Sequence, residues 1–115
     1  MLKKKYRFHS RGGVKYVYQH GKTVRKAAMS LVFCDNTRGF TRVAVVVSKK
    51  VVKTAVGRNR IRRRVYETIR NNFDLVPKKC DYIFVVYRKE VGTMPYKELV
   101  KLLGELVAES KVWYN

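Results

Sequence analysis

Acidic residues are nearly missing from the first part of this 115-residue chain. Residues 1–66 contain one, Asp35, against nineteen lysines and arginines, whereas residues 67–115 hold seven acids and eight bases. Almost all of the formal charge of +19 therefore belongs to the first part, and a field of that sign and size favours an anionic partner. Histidine is also scarce. His9 and His20 are the only two, and neither has a carboxylate or cysteine at motif spacing. Paired carboxylates for metal-assisted hydrolysis and a histidine pair for acid–base work are both missing, which argues against a nuclease active site built by this chain alone. No catalytic residue and no metal ligand is assigned. Two cysteines, Cys34 and Cys80, are too few for a disulfide scaffold and form no CxxC. They read as buried thiols in a reducing compartment, with the cytoplasm as the default. No apolar run approaches the roughly 20 residues of a membrane helix, and "MLKKKYRF" is followed by no apolar signal region, so no membrane association is expected. The single glycine of "VGRNR" cannot form a phosphate-cradling loop.

What is present is a foldable chain with 46% hydrophobic residues and no repeat or linker. It divides into a basic N-terminal arm, residues 1–9, and a single domain, residues 10–115. From Arg11 the spacing of Val14, Val17, Tyr18 and Gly21 predicts a short helix that stops at "HG". "MSLVFCD" and "TRVAVVVS" are strand-like, and "DNTRG" between them reads as a hairpin turn. The second strand is apolar at successive positions and reads as central. Over residues 56–73 the apolar positions Ile61, Val65, Ile69 and Phe73 gather on one side of a helix and Arg60, Arg63, Arg64 and Glu67 on the other, with Arg62 at the boundary. Pro77 ends this element, "DYIFVVY" is another buried strand, residues 88–94 read as a loop, and Tyr96, Leu99, Leu103 and Leu106 mark a last helix. The order α-β-β-α-β-α implies an α/β (α+β) sandwich with a mixed sheet.

Three constellations bear on function. Arg58, Arg60, Arg62, Arg63 and Arg64 lie within seven residues, and like charges three or four apart on a helix cost a few tenths of a kcal/mol each. A polyanion relieves that repulsion, and guanidinium forks match phosphate oxygens. Next, "SKKVVK" brings Lys49, Lys50 and Lys53 to the start of the same helix. Finally, Tyr6, Phe8, Tyr16, Tyr18 and Phe33 are interleaved with Lys4, Lys5, Arg7, Arg11 and Lys15, as in a platform for unpaired bases, although some of these rings must be core. Tyr82, Phe84 and Tyr87 read as core and Trp113 as a C-terminal anchor. Charge alone leaves RNA and DNA open.

Taken as one unit, "VVVSKKVVKTAVGRNRIRRRVYE" (Val45 to Glu67) resembles the protein subunit of bacterial ribonuclease P, with weaker likeness through "VKYVYQHG" and "DYIFVVYR". The resemblance implies a small α/β sandwich with a left-handed βαβ crossover. It also implies a protein that binds a catalytic RNA and helps it remove the 5′ leader of precursor tRNA. Arg58, Asn59, Arg60, Arg62 and Arg63, with Lys53 and Arg64 on the same segment, would face the catalytic RNA. Val14, Lys15, Tyr18, Phe33, Lys49 and Lys50 would form the leader cleft, Val14 standing where the family commonly has an aromatic residue. Mg²⁺ would be held mainly by the RNA subunit, and no obligate protein partner is implied. The alternative reading is a ribosomal or other structured-RNA binding protein without a catalytic role.

Overall fold

The computed structural model describes Arg7 and residues 11–36, 40–72 and 80–112. Its elements are helix α1 (Arg11–His20), strands β1 (Lys22–Arg25), β2 (Met29–Asp35) and β3 (Arg42–Val47), helix α2 (Ala55–Asn72), strand β4 (Cys80–Val86), a 3-10 turn (Lys89–Gly92) and helix α3 (Tyr96–Val112). The expected mixed sheet and three helices are present, with one strand more than periodicity gave. Strand β1 escapes a pattern search because only Val24 of its four residues points inward.

Within the sheet the order is β1-β2-β4-β3. Strands β1, β2 and β4 pair antiparallel, while β3 runs parallel to β4, Val47 opposite Val86. The hairpin reading of "DNTRG" is therefore overturned, because β4 is inserted between β2 and β3. The central placement of β3 is also corrected: β2 and β4 occupy the middle and β3 lies at the edge. Its continuous valines do match the expected covering of both faces, which does not require a central place in the sheet. Val43, Val45 and Val47 join the large core under α2 and α3, and Ala44 and Val46 join a smaller cluster under α1.

Strand alternation carries this division across the sheet. Leu31, Phe33, Tyr82 and Phe84 face Ile61, Val65, Leu99 and Leu103, whereas Val32 and Ile83 face Val17 of α1. The first helix stops where expected. Gly21 donates to the Val17 carbonyl at 2.7 Å, and a Cβ there would stand 2.5 Å from Val17 O and 2.6 Å from Phe33 O. Only glycine lets the chain turn so closely against β2. The second helix starts at a threonine cap, the Gly57 amide donating to Thr54 Oγ1 at 3.0 Å. Its buried stripe is Ile61, Val65, Tyr66, Thr68 and Ile69; Phe73 lies outside the described residues.

The same alternation separates the cysteines. Cys34 opposes Asp81 and Cys80 opposes Asp35, so their side chains enter opposite faces and the two form no disulfide with each other. Burial pushes the Cys34 thiol up, with Asp81 and then Asp35 adding to the effect. Beside Cys34 sits a buried ion pair. Arg42 Nε and Nη2 donate to the two Asp81 carboxylate oxygens at 2.9 and 2.8 Å, and Asn36 Nδ2 donates to Oδ1 at 2.7 Å. This joins the ends of β2, β3 and β4. Removing one member of such a pair leaves a buried charge uncompensated, which costs about 3–5 kcal/mol. Asp81→Ala is expected to lose about that much unfolding free energy in urea titration, and the double variant Arg42→Met/Asp81→Leu distinctly less.

Candidate nucleic-acid interface

Helix α2 divides its arginines by what each guanidinium touches. Arg60 and Arg63 are exposed, and among the described residues neither has a hydrogen-bond or ion-pair partner. Arg62 is half-buried and donates through Nη2 to Asn59 Oδ1. Arg58 reaches backward, its Nη1 donating to the carbonyls of Val52 and Lys53 at 3.0 and 2.8 Å, and so ties down the turn that precedes the helix. Arg64 turns into the protein. Its Nη1 donates to Val91 O at 2.8 Å and its Nη2 to Met94 O at 2.5 Å. These carbonyls belong to the 3-10 turn and its exit toward α3, where orphan acceptors need donors. Arg64, expected to face the RNA, thus acts as an internal clamp, with part of its side chain still bordering the outer side of α2. Glu67, the one acid among these cations, lies 3.6 Å from Arg70 of its own helix.

On the side facing β3 the helix borders a groove of about 520 Å³. Asn59, Arg62 and Arg63 form one wall, Val14 of α1 the other, and the edge of β3 the floor. Two further residues shape its base: Arg7, one of the cations interleaved with rings in the sequence, and Tyr66, which the sequence did not single out. Arg7 pairs with Val43 as a further parallel bridge along β3, and its Nε is buried without a partner among the described residues. Tyr66 accepts the Val45 amide at 3.2 Å through its hydroxyl, satisfying a donor of the open edge. Burial raises the Tyr66 pKa above its usual value, against the hydrogen bond from Val45 and the nearby Arg7 and Arg62. The rest of the 1–9 arm lies outside the described residues, as do Tyr6, Phe8 and Trp113.

At the end of β3, Val51 and Val52 donate to the Ser48 carbonyl at 3.1 and 3.2 Å. This tight turn carries Lys49 and Lys50 into solvent, with Lys53 exposed beyond it. Helix α1 supplies Lys15 and a ring, Tyr18, that is 46% exposed. The Tyr18 pKa is raised first by burial and then by the neighbouring Tyr87. Phe33 does not join them. It is 1% exposed and packs in the core under α2 and α3, on the face of the sheet opposite α1. A one-residue shift along β2 decides this, because Val32 and not Phe33 looks toward α1. Tyr87, read as core, is 41% exposed.

A second concavity of about 620 Å³ lies on the outer side of α2 between Val56, Arg60 and Glu67. Asn59 and Arg63 border both hollows and form the ridge between them. Among the described residues no group of three or more His, Cys, Asp and Glu is placed to hold a metal ion. The donors that converge here are guanidinium, ammonium, amide and phenol groups, a set matched to phosphate oxygens and base faces. No described helix is long and apolar enough to cross a membrane.

A family model described as Ribonuclease P matches residues 2–111. A ribonuclease P protein component of Syntrophus aciditrophicus (strain SB) is 32% identical over 94% of this chain and 89% of its own length. One from Clostridium botulinum (strain Langeland) is 30% identical over 86% of this chain and 88% of its own. The RNase P protein of Staphylococcus aureus superposes with a TM-score of 0.75 at 24% identity, covering 93% of this chain and 96% of that one. That of Thermotoga maritima gives 0.74 at 24%, covering 87% and 94%. At that identity the superpositions show a shared fold.

The division among the arginines has a measurable consequence. Arg60→Ala/Arg63→Ala together should leave the urea midpoint unchanged and lower the magnitude of the slope of log K against log salt for RNA by about 2. Arg64→Ala should do the reverse, losing about 1.5–3 kcal/mol of stability with its charged hydrogen bonds while the slope stays within error.

Proposed function

The chain belongs to the ribonuclease P protein family, and on that premise we propose how its surface serves a ribonucleoprotein endoribonuclease that removes the 5′ leader of precursor tRNA. The catalytic RNA docks on the ridge of α2, through Arg60, Arg62, Arg63 and Asn59, with Lys53 beside the helix start. Arg58 contributes by fixing that start and by its remaining donors. The single-stranded leader runs from the groove beside Val14 past Lys15, Lys49 and Lys50 toward Tyr18. The observation that carries this reading is the exposed pair Arg60 and Arg63 beside a groove lined by Val14 and the edge of β3, with Lys49 and Lys50 exposed just past that strand and the Tyr18 ring exposed on α1. A protein binding only a folded RNA needs the first and not the second. The family match likewise weighs against the ribosomal reading.

The protein's own contribution is electrostatic and positional. Unpaired guanidinium and ammonium groups neutralise phosphates where two RNAs meet, and that lowers the repulsion between them. An exposed ring stacks an unpaired base at about 1–3 kcal/mol, with little preference for sequence. On this reading the metal that would activate water and stabilise the leaving oxygen is held mainly by the RNA subunit.

Two experiments test this assignment. Purified protein freed of RNA should leave precursor tRNA intact in Mg²⁺, and addition of the cognate RNA should give one cut at the mature 5′ end. Specific cleavage by micrococcal-nuclease-treated protein would sink the division of labour. In the assembled complex, Tyr18→Ala should weaken binding of leader-bearing precursor by about 1–3 kcal/mol and leave mature tRNA unaffected, while Tyr18→Phe retains most of the affinity. Equal losses for both ligands with a lower thermal midpoint would reassign Tyr18 to the core.

A further inference from the structure

We propose that Tyr87 and Arg25 form a second stacking shelf, which holds an unpaired nucleotide of the leader beyond Tyr18; the proposal rests on the leader reading above. Tyr87 follows β4 directly, and three interactions fix it. Its amide donates to the Ala28 carbonyl at 2.9 Å, its hydroxyl lies 2.7 Å from the Oγ of buried Ser30, and the Arg25 guanidinium carbon stands 5.7 Å from its ring centroid. With the ring 41% exposed, anchoring at both ends is more than a surface tyrosine needs. It yields a preorganised aromatic plane, which binds without the cost of ordering a mobile side chain.

The surroundings identify the ligand as a nucleotide and connect the shelf to the groove. A cation over one face of a ring is held by the ring's quadrupole, leaving the other face for a stacked base. Arg25 is exposed at the end of β1, and a guanidinium there is suited to the phosphate flanking that base. Because Val47 is paired with Val86, Ser48 and Tyr87 leave the sheet side by side. The turn bearing Lys49 and Lys50 thus departs from the same end of the sheet as the shelf. Tyr18 approaches from α1, near enough for the Tyr87 phenol to add to the upward displacement of its pKa. Groove, lysine turn, Tyr18 and Tyr87 make one track of alternating cations and rings along the α1 face of the sheet, and single-stranded nucleic acid is the polymer whose repeating phosphate and base match that alternation.

The experiment uses the complex reconstituted with its catalytic RNA and precursor tRNAs carrying leaders of graded length. Tyr87→Ala should weaken binding of long leaders about tenfold, with a threshold length below which the variant and the wild type coincide and with mature tRNA unchanged. Tyr87→Phe should keep the affinity for long leaders, and Arg25→Gln should lose part of it together with about one unit of salt slope. If Tyr18→Ala discriminates leader-bearing from mature tRNA but Tyr87→Ala does not, the shelf is refuted and the leader groove stands. Failure of both variants to discriminate overturns shelf and groove together. A uniform loss for Tyr87→Ala on every ligand, with a matching fall in thermal midpoint, makes the ring a support for Ser30 and also overturns the shelf.

Discussion

The parallel pairing of β3 with β4 is the constraint on which the surface chemistry depends. A parallel neighbour cannot be reached by a tight turn, so the chain between the two strands has to leave the sheet, cross a face and return. Helix α2 is that crossing. Its apolar stripe is consumed by the core, and off the stripe Arg60 and Arg63 face outward, Arg62 borders the groove at the edge of β3, and Arg64 reaches the 3-10 turn. The same pairing brings Ser48 and Tyr87 out of the sheet together. The tethers at that end, from Val51 and Val52 to Ser48 and from Arg58 to Val52 and Lys53, hold the lysine turn against the start of α2.

Concentrating positive charge on one crossing helix costs stability, and the fold limits that cost by giving some of the guanidinium groups internal acceptors. Arg64 satisfies two carbonyls where the 3-10 turn leads into α3, and Arg58 satisfies two more before α2. Those bonds disperse charge over backbone dipoles and at the same time do structural work. Arg60 and Arg63, both exposed, have no such relief among the described residues. Their mutual repulsion, a few tenths of a kcal/mol per close pair, is removed only when a polyanion binds. The helix is therefore better matched to the bound state than to the free one.

Periodicity made the two long helices and three of the four strands legible, because their patterns are set by burial on one face or both. Partner choice was not. Nothing local in β2 or β3 says that β4 will come between them, since register and order depend on long-range packing. The arginine face was readable as a face but not residue by residue. Arg64 sits on the polar side of the helix, yet it is close enough to residues 91–94 to be drawn inward. Phe33 failed for a different reason. Its strand is apolar at successive positions, so alternation alone does not say which residues look toward α1, and the pairing of Phe33 with Tyr82 settles that it looks the other way. Tyr66, Arg7 and Tyr87 gave little signal, as their roles arise from the edge and end of a sheet that was not yet ordered. The family resemblance supplied the function that geometry alone leaves as nucleic-acid binding.

A surface of this composition also constrains how the assembled complex responds to pH. Guanidinium groups hold their charge wherever RNA is chemically intact. The two tyrosines whose ionisation would alter the groove, Tyr18 and Tyr66, are both displaced upward, chiefly by burial. Each stays neutral through the physiological range: Tyr18 keeps an uncharged stacking face, and Tyr66 keeps a hydroxyl that can accept from Val45 and still donate into the groove. A phenolate at either position would repel the phosphates that the arginines attract. A phenol is neutral at physiological pH in any case, so burial carries that neutrality further into the alkaline range, and titration of the reaction is left to groups outside the arginine ridge and these two rings.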